Sequence, residues 1–125
     1  MPTWVFVGAG GFLGAVARWA LSGAITRAAG VAFPWGTLCV NVLGSLLIGF
    51  LMGLVEYRGT LGPEARAFLI VGGLGAFTTF STFSHETMAL VRTHQLMLAF
   101  ANAVGSVVSC LVAAAAGWAL AKALS

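Results

Sequence analysis

This sequence predicts an all-α membrane protein of four transmembrane helices, the third broken at its centre. Three observations carry that expectation. The chain is 60% hydrophobic and only 7% charged, against roughly 25% charged in a soluble domain, so it lacks the charge to cover a water-facing surface. Four segments reach the about 20 apolar residues that a helix needs to cross the hydrocarbon core. Within the third lies Gly72-Gly73-Leu74-Gly75-Ala76-Phe77-Thr78-Thr79-Phe80-Ser81-Thr82-Phe83-Ser84, glycines followed by hydroxyls interleaved with phenylalanines. Backbone that leaves the helix at membrane depth is costly unless it lines a cavity or is buried in protein.

The expected spans run from about Thr3 to Leu21, Trp35 to Val55, Ala67 to Val91 and Leu96 to Leu120. Short punctuated loops separate them: Thr26-Arg27 to Phe33-Pro34, Glu56 to Glu64, and Arg92 to Gln95. Residues 1–125 therefore read as one integral membrane domain. The first span is not read as a signal peptide, because no basic stretch precedes it and Gly8, Gly10, Gly11 and Gly14 interrupt it. Cys39 and Cys110 both fall inside spans, which argues against a disulfide framework, and without a His/Cys cluster they make no zinc site. Nucleic-acid motifs are absent.

Loop charges normally set orientation. With a cytoplasmic N-terminus, Arg58, Arg66 and Lys122 lie inside, while Arg27, Arg92 and arguably Arg18 lie outside. That balance leaves two readings open: one weakly biased orientation, or insertion both ways with pairing as an antiparallel, dual-topology homodimer.

In the second span Thr37, Asn41, Ser45, Gly49 and Gly53 recur every fourth residue and share a slowly drifting face. The fourth span carries a small-residue stripe, Ala101, Gly105, Ser109, Ala113 and Gly117, beside a polar one, Asn102, Ser106 and Cys110. Small residues at this spacing let helices approach closely in lipid. Asn41 and Asn102 suit either an interhelical hydrogen bond or a pore lining. Arg18 is expected near a membrane end, snorkelling or standing at a pore mouth. Glu86 follows the Phe/Ser/Thr run, and an intramembrane carboxylate is a functional candidate.

In the third span Thr79, Thr82, Phe83 and Glu86 share a face, and Phe80 neighbours Phe83. Hydroxyls, an Asn amide and the positive edges of aromatic rings suit a small anion. Unwound backbone at the glycine-rich break offers carbonyls, which coordinate small cations. The residues alone identify neither ion.

With these blocks in place the chain resembles the bacterial fluoride channels of the Fluc (CrcB) family over nearly its whole length. The likeness rests on Gly10-Gly11-Phe12-Leu13-Gly14-Ala15-Val16-Ala17-Arg18, on Gly36-Thr37-Leu38-Cys39-Val40-Asn41-Val42-Leu43-Gly44-Ser45, and on Gly75 through Ser84. It implies passive, fluoride-selective efflux across the cell (inner) membrane through two pathways of an antiparallel homodimer, with no enzymatic activity. It further implies that Phe80 and Phe83 turn ring edges to the ion and that Asn41 donates to it in a vestibule. Thr79, Thr82, Ser106, Glu86 and Arg18 complete the implied pathway, and the Gly75 and Thr78 carbonyls of both subunits would hold a structural Na⁺. Asn102 and Cys110 stand where family members can carry an aromatic hydroxyl and a serine. Two other readings compete. A small multidrug antiporter would need a carboxylate in the first span, and none is there. A non-transporting assembly subunit leaves the hydroxyl-rich run unexplained.

Overall fold

The computed structural model describes Met1–Ser125 and is wholly helical. Four helical spans are long and apolar enough to cross a membrane: Thr3–Ala29, Trp35–Arg58, Pro63–Arg92 and Leu96–Ala123. The first, second and last are the continuous helices α1 (Thr3–Ala29), α2 (Trp35–Arg58) and α6 (Leu96–Ala123). The third is composite. It opens with α3 (Pro63–Arg66), passes through a wide π-helical stretch at Ala67–Leu74, returns to α-geometry in α4 (Gly75–Phe77) and resumes as α5 (Phe80–Arg92).

Helix α1 runs past its expected end at Leu21. Ser22 and Thr26 look like loop residues in sequence, but inside the helix their hydroxyls donate to the carbonyls of Trp19 and Ser22, so neither needs water. The helix closes on Gly30. Helix α2 ends at Gly59 in left-handed conformation (φ 62°, ψ 32°), its N–H donating to the Val55 carbonyl, a geometry glycine reaches without a Cβ penalty. Pro63 opens α3, where a missing N–H costs nothing.

Two helix pairs build the molecule. Helix α2 lies along α6, and α1 lies along the π-helical stretch. Small residues hold both contacts. A Cβ on Gly49 would run into the Ala114 carbonyl, and one on Gly117 into the Leu46 carbonyl. Across the other pair, a Cβ on Gly10 would meet the Phe68 carbonyl, on Gly14 the Gly73 carbonyl, and on Gly72 the Val7 carbonyl. Backbones at this range gain dispersion contacts that larger side chains would prevent.

The glycines therefore do not break the third span. Gly72 and Gly73 are helical, and Gly75 keeps right-handed helical dihedrals (φ −60°, ψ −37°). The extended backbone comes later, at Thr78 (φ −91°, ψ 154°) and Thr79 (φ −149°, ψ 121°). Two successive β-branched residues are poor helix formers. Thr79 is also an N-cap: its hydroxyl accepts from the Thr82 N–H at 3.2 Å.

The α6 stripe divides as well. Ala113 and Gly117 are buried, whereas Ala101 and Gly105 are exposed. Few residues are buried overall, and large apolar side chains such as Phe12, Trp19, Phe100 and Leu111 face outward. A chain whose solvent is lipid has no reason to hide them.

Candidate functional site: a cleft at the extended threonines

Where α4 gives way to α5, helical donors are missing, and the chain satisfies its backbone from elsewhere. In an uninterrupted helix the Thr79 N–H would donate to the Gly75 carbonyl. Here it donates to Asn41 Oδ1 at 2.8 Å, while Asn41 Nδ2 donates to the Thr79 carbonyl at 3.0 Å. One amide from α2 thus pairs both polar groups of one extended residue. The Thr82 N–H, the helical donor for the Thr78 carbonyl, goes to Thr79 Oγ1 instead.

Arg18 completes the repair. Its Nε donates to the Ala76 carbonyl at 2.9 Å, one of the groups left over at a helix end. The sequence places Arg18 near a membrane end. Because α1 continues to Ala29, Arg18 stands well inside the helix and reaches the end of α4 rather than a loop. Thr78 Oγ1 donates to the Leu74 carbonyl at 3.0 Å.

Beside this junction opens a cleft of about 340 Å³. Asn41 and Ser45 of α2 line one wall, Gly75, Thr78, Thr79, Phe80 and Phe83 a second, and Ser106 and Cys110 of α6 a third, with Ile48, Ile70, Leu74 and Val107 making much of the rest apolar. The Phe80 and Phe83 rings are tilted by 49° with centroids 5.3 Å apart, and Phe80 is 75% exposed. The lining carries two phenyl rings, hydroxyls, a thiol and an amide and no carboxylate, a set of groups better suited to a small anion than to an organic cation.

Seven of the ten sequence-nominated residues meet here: Asn41, Gly75, Thr78, Thr79, Phe80, Phe83 and Ser106. Thr82, Glu86 and Arg18 do not line the cleft. Thr82 is engaged with Thr79, and Arg18 with Ala76. Glu86 lies in a separate pocket with Thr26, the Gly30–Pro34 loop, Thr93 and Gln95, where its Oε1 is buried without a hydrogen-bond partner. Of the two residues left open, Cys110 lines the cleft, while Asn102 is buried behind it at 2% exposure. The Thr79–Thr82 cap was legible in principle, since a Thr opening a helix is an N-cap signal, but Gly72, Gly73 and Gly75 upstream are the stronger break signal in sequence, and nothing local points to Asn41 as the partner of Thr79.

Four apolar spans, three of which line a cleft where backbone pairing is rebuilt by side chains, define a multi-pass membrane protein of the cell membrane. Comparison with known proteins narrows the class. The family model described as CrcB-like protein, Camphor Resistance (CrcB), matches residues 5–118. A fluoride-specific ion channel FluC of Opitutus terrae is 48% identical over 115 residues, covering 90% of this chain and 87% of that protein. Namesakes from Magnetococcus marinus and Hahella chejuensis are 48% and 45% identical, covering 90% and 98% of this chain. The chain belongs to the CrcB family, whose curated relatives are named as ion channels and not as enzymes.

Proposed function

We propose that this chain is a passive, fluoride-selective channel that lowers cytoplasmic fluoride, working as an antiparallel homodimer with two pathways. The observation that carries the reading is the cleft itself: Asn41, Phe80, Phe83 and Ser106, from three helices, converge on one wall system in a chain 48% identical to a protein named as a fluoride channel. The chemistry supports it. Fluoride is small and strongly hydrated, and conduction demands contacts strong enough to replace water yet weak enough to release the ion. Ring edges and neutral donors meet that demand, where a free cation on the wall would trap the ion. Arg18 stays off the wall, its Nε donating to the Ala76 carbonyl.

A structural Na⁺ held by the Gly75 and Thr78 carbonyls fits the same junction. Both carbonyls have lost their helical donors, Thr79 N–H to Asn41 and Thr82 N–H to Thr79 Oγ1. No group of three His, Cys, Asp or Glu side chains converges anywhere in the chain, which leaves backbone oxygen as the ligand for a hard cation. Such ions gather more oxygens than one chain offers here, and a second copy facing the first doubles the set. The exposure of Gly75 and Phe80 suits that pairing. When bound, the ion supplies a fixed positive charge that balances the carbonyl dipoles.

The decisive test is fluoride-electrode efflux from liposomes carrying the purified protein, with chloride as control. Fluoride efflux without chloride efflux is expected, and chloride moving as readily would overturn the reading. Phe80→Ile and Phe83→Ile should each slow fluoride, since apolar bulk remains while the ring edge is lost. Unchanged rates would remove the aromatic role. Na⁺ should survive exhaustive dialysis; a well-resolved structure showing only water against Gly75 and Thr78 would count against it.

A further inference from the structure

Between α5 and α6 runs a hydrogen-bond relay whose direction is favoured from one end. The Phe83 carbonyl can only accept. The Thr87 hydroxyl gives it its single proton, at 2.8 Å. The Thr87 oxygen is left with lone pairs alone, so the group that Asn102 turns to it, at 2.8 Å, is the Nδ2 amino group. Asn102 Oδ1 therefore faces Ser106, and because an amide oxygen only accepts, Ser106 Oγ donates to it at 3.2 Å. The opposite amide orientation would draw the Thr87 proton to Oδ1 and cost the Phe83 carbonyl its hydroxyl donor.

The consequence falls on the cleft. Ser106 lines it, whereas Asn102 and Thr87 do not. With its only proton committed to Asn102, Ser106 turns lone pairs toward the lumen, the wrong polarity for an anion. We infer that Asn102 is a positioning residue that withholds the Ser106 proton from the cleft, with Thr87 fixing the amide's orientation; this rests on the cleft being an anion route. An anion reaching Ser106 gains its hydroxyl only by rotating the proton off Asn102 Oδ1. That oxygen, almost wholly enclosed, then loses its partner, which is costly. The relay keeps the anion's hold at this point weak, and weak sites pass ions on.

Thr87→Val tests this from outside the cleft at nearly constant shape. Without the Thr87 hydroxyl the Asn102 amide is free to turn Nδ2 toward Ser106, which releases the Ser106 proton to the lumen. At low fluoride, where filling of the site limits the rate, efflux per folded channel should then rise about fivefold, the scale of one exchanged hydrogen bond, and at saturating fluoride, where release limits it, efflux should fall. Thr87→Ser should restore the original rate. In a Ser106→Ala background, Thr87→Val should change nothing. Asn102→Leu, which removes the internal acceptor itself, should give the same rise if the valine variant fails to fold. A wild-type chain that passes fluoride while Thr87→Val and Asn102→Leu leave the rate unchanged overturns the relay, as does a rise that persists without Ser106. A wild-type chain that passes no fluoride overturns the channel reading instead.

Discussion

The third span contains two adjacent solutions to one problem, how backbone survives in lipid. From Ala67 to Leu74 the chain stays helical and uses Gly72 and Gly73 to bring that helix against α1, where Gly10 and Gly14 answer from the other side. The backbone stays helical, and the glycines serve proximity. At Thr78 and Thr79 the helix lapses, and the exposed polar groups are paired one by one: Asn41 on both sides of Thr79, Arg18 on Ala76, and Thr79 Oγ1 on Thr82. The first half gains close packing against α1. The second gives up packing and places polar atoms around a cleft. Position in the span, more than residue polarity, separates scaffold from site.

Substitutions can break that contrast, and the largest effect belongs to Asn41→Leu. It removes the partners of two backbone groups at once, each costing about 1–3 kcal/mol when left buried and unpaired. The folded fraction in detergent, followed by thermal melting, should drop sharply; a melt like wild type would show that water or another side chain takes over Thr79. Gly72→Ala comes next. Its Cβ would run into the Val7 carbonyl, and overpacking of this kind costs about 1–3 kcal/mol. The same melt should fall while fluoride efflux per folded channel stays unchanged, because the atoms the new Cβ would meet belong to α1 and Gly72 does not line the cleft. Arg18→Met leaves the Ala76 carbonyl without its donor, a single group at about 1–3 kcal/mol, and should lower the melt less than Asn41→Leu.

Gly75→Ala sharpens the comparison. Its Cβ would lie 3.8 Å from the Ile70 carbonyl, an ordinary contact, so within one chain the change is tolerated. If two copies face each other at this point, the same substitution should weaken assembly, read as a shift from dimer to monomer in detergent. A fully dimeric Gly75→Ala protein would move the partner contact elsewhere. The smallest effect is expected for Gly105→Ala. Nothing lies within 4 Å of a Cβ there, and alanine favours helix over glycine by about 1 kcal/mol. The melt should stay level or rise slightly, although Gly105 belongs to the same stripe as the closely packed Gly117.

The four spans were legible because apolar length is a local property. Their ends were less so, since Ser22 and Thr26 read as loop until their hydroxyls are seen to bond back within α1. Much of the cleft was legible too, as Asn41, Phe80, Phe83 and Ser106 stand out among apolar neighbours. The position of the extended backbone was not. Glycines permit a break without requiring one, and here close packing against α1 holds them in the helix.

What the sequence by itself determined is the environment: too little charge to face water, four stretches long enough to cross lipid, and a few polar residues too costly to be incidental. Only the tertiary structure decided which partner each polar group takes. Arg18 left the membrane edge for the Ala76 carbonyl, and Asn41 became the partner of Thr79. Asn102 went behind the wall on which Cys110 stands, and Glu86 was set apart in its own pocket. The physical reason is that burial in lipid depends on composition summed along a segment, whereas a hydrogen bond depends on a distance and an angle that exist only once the helices have packed.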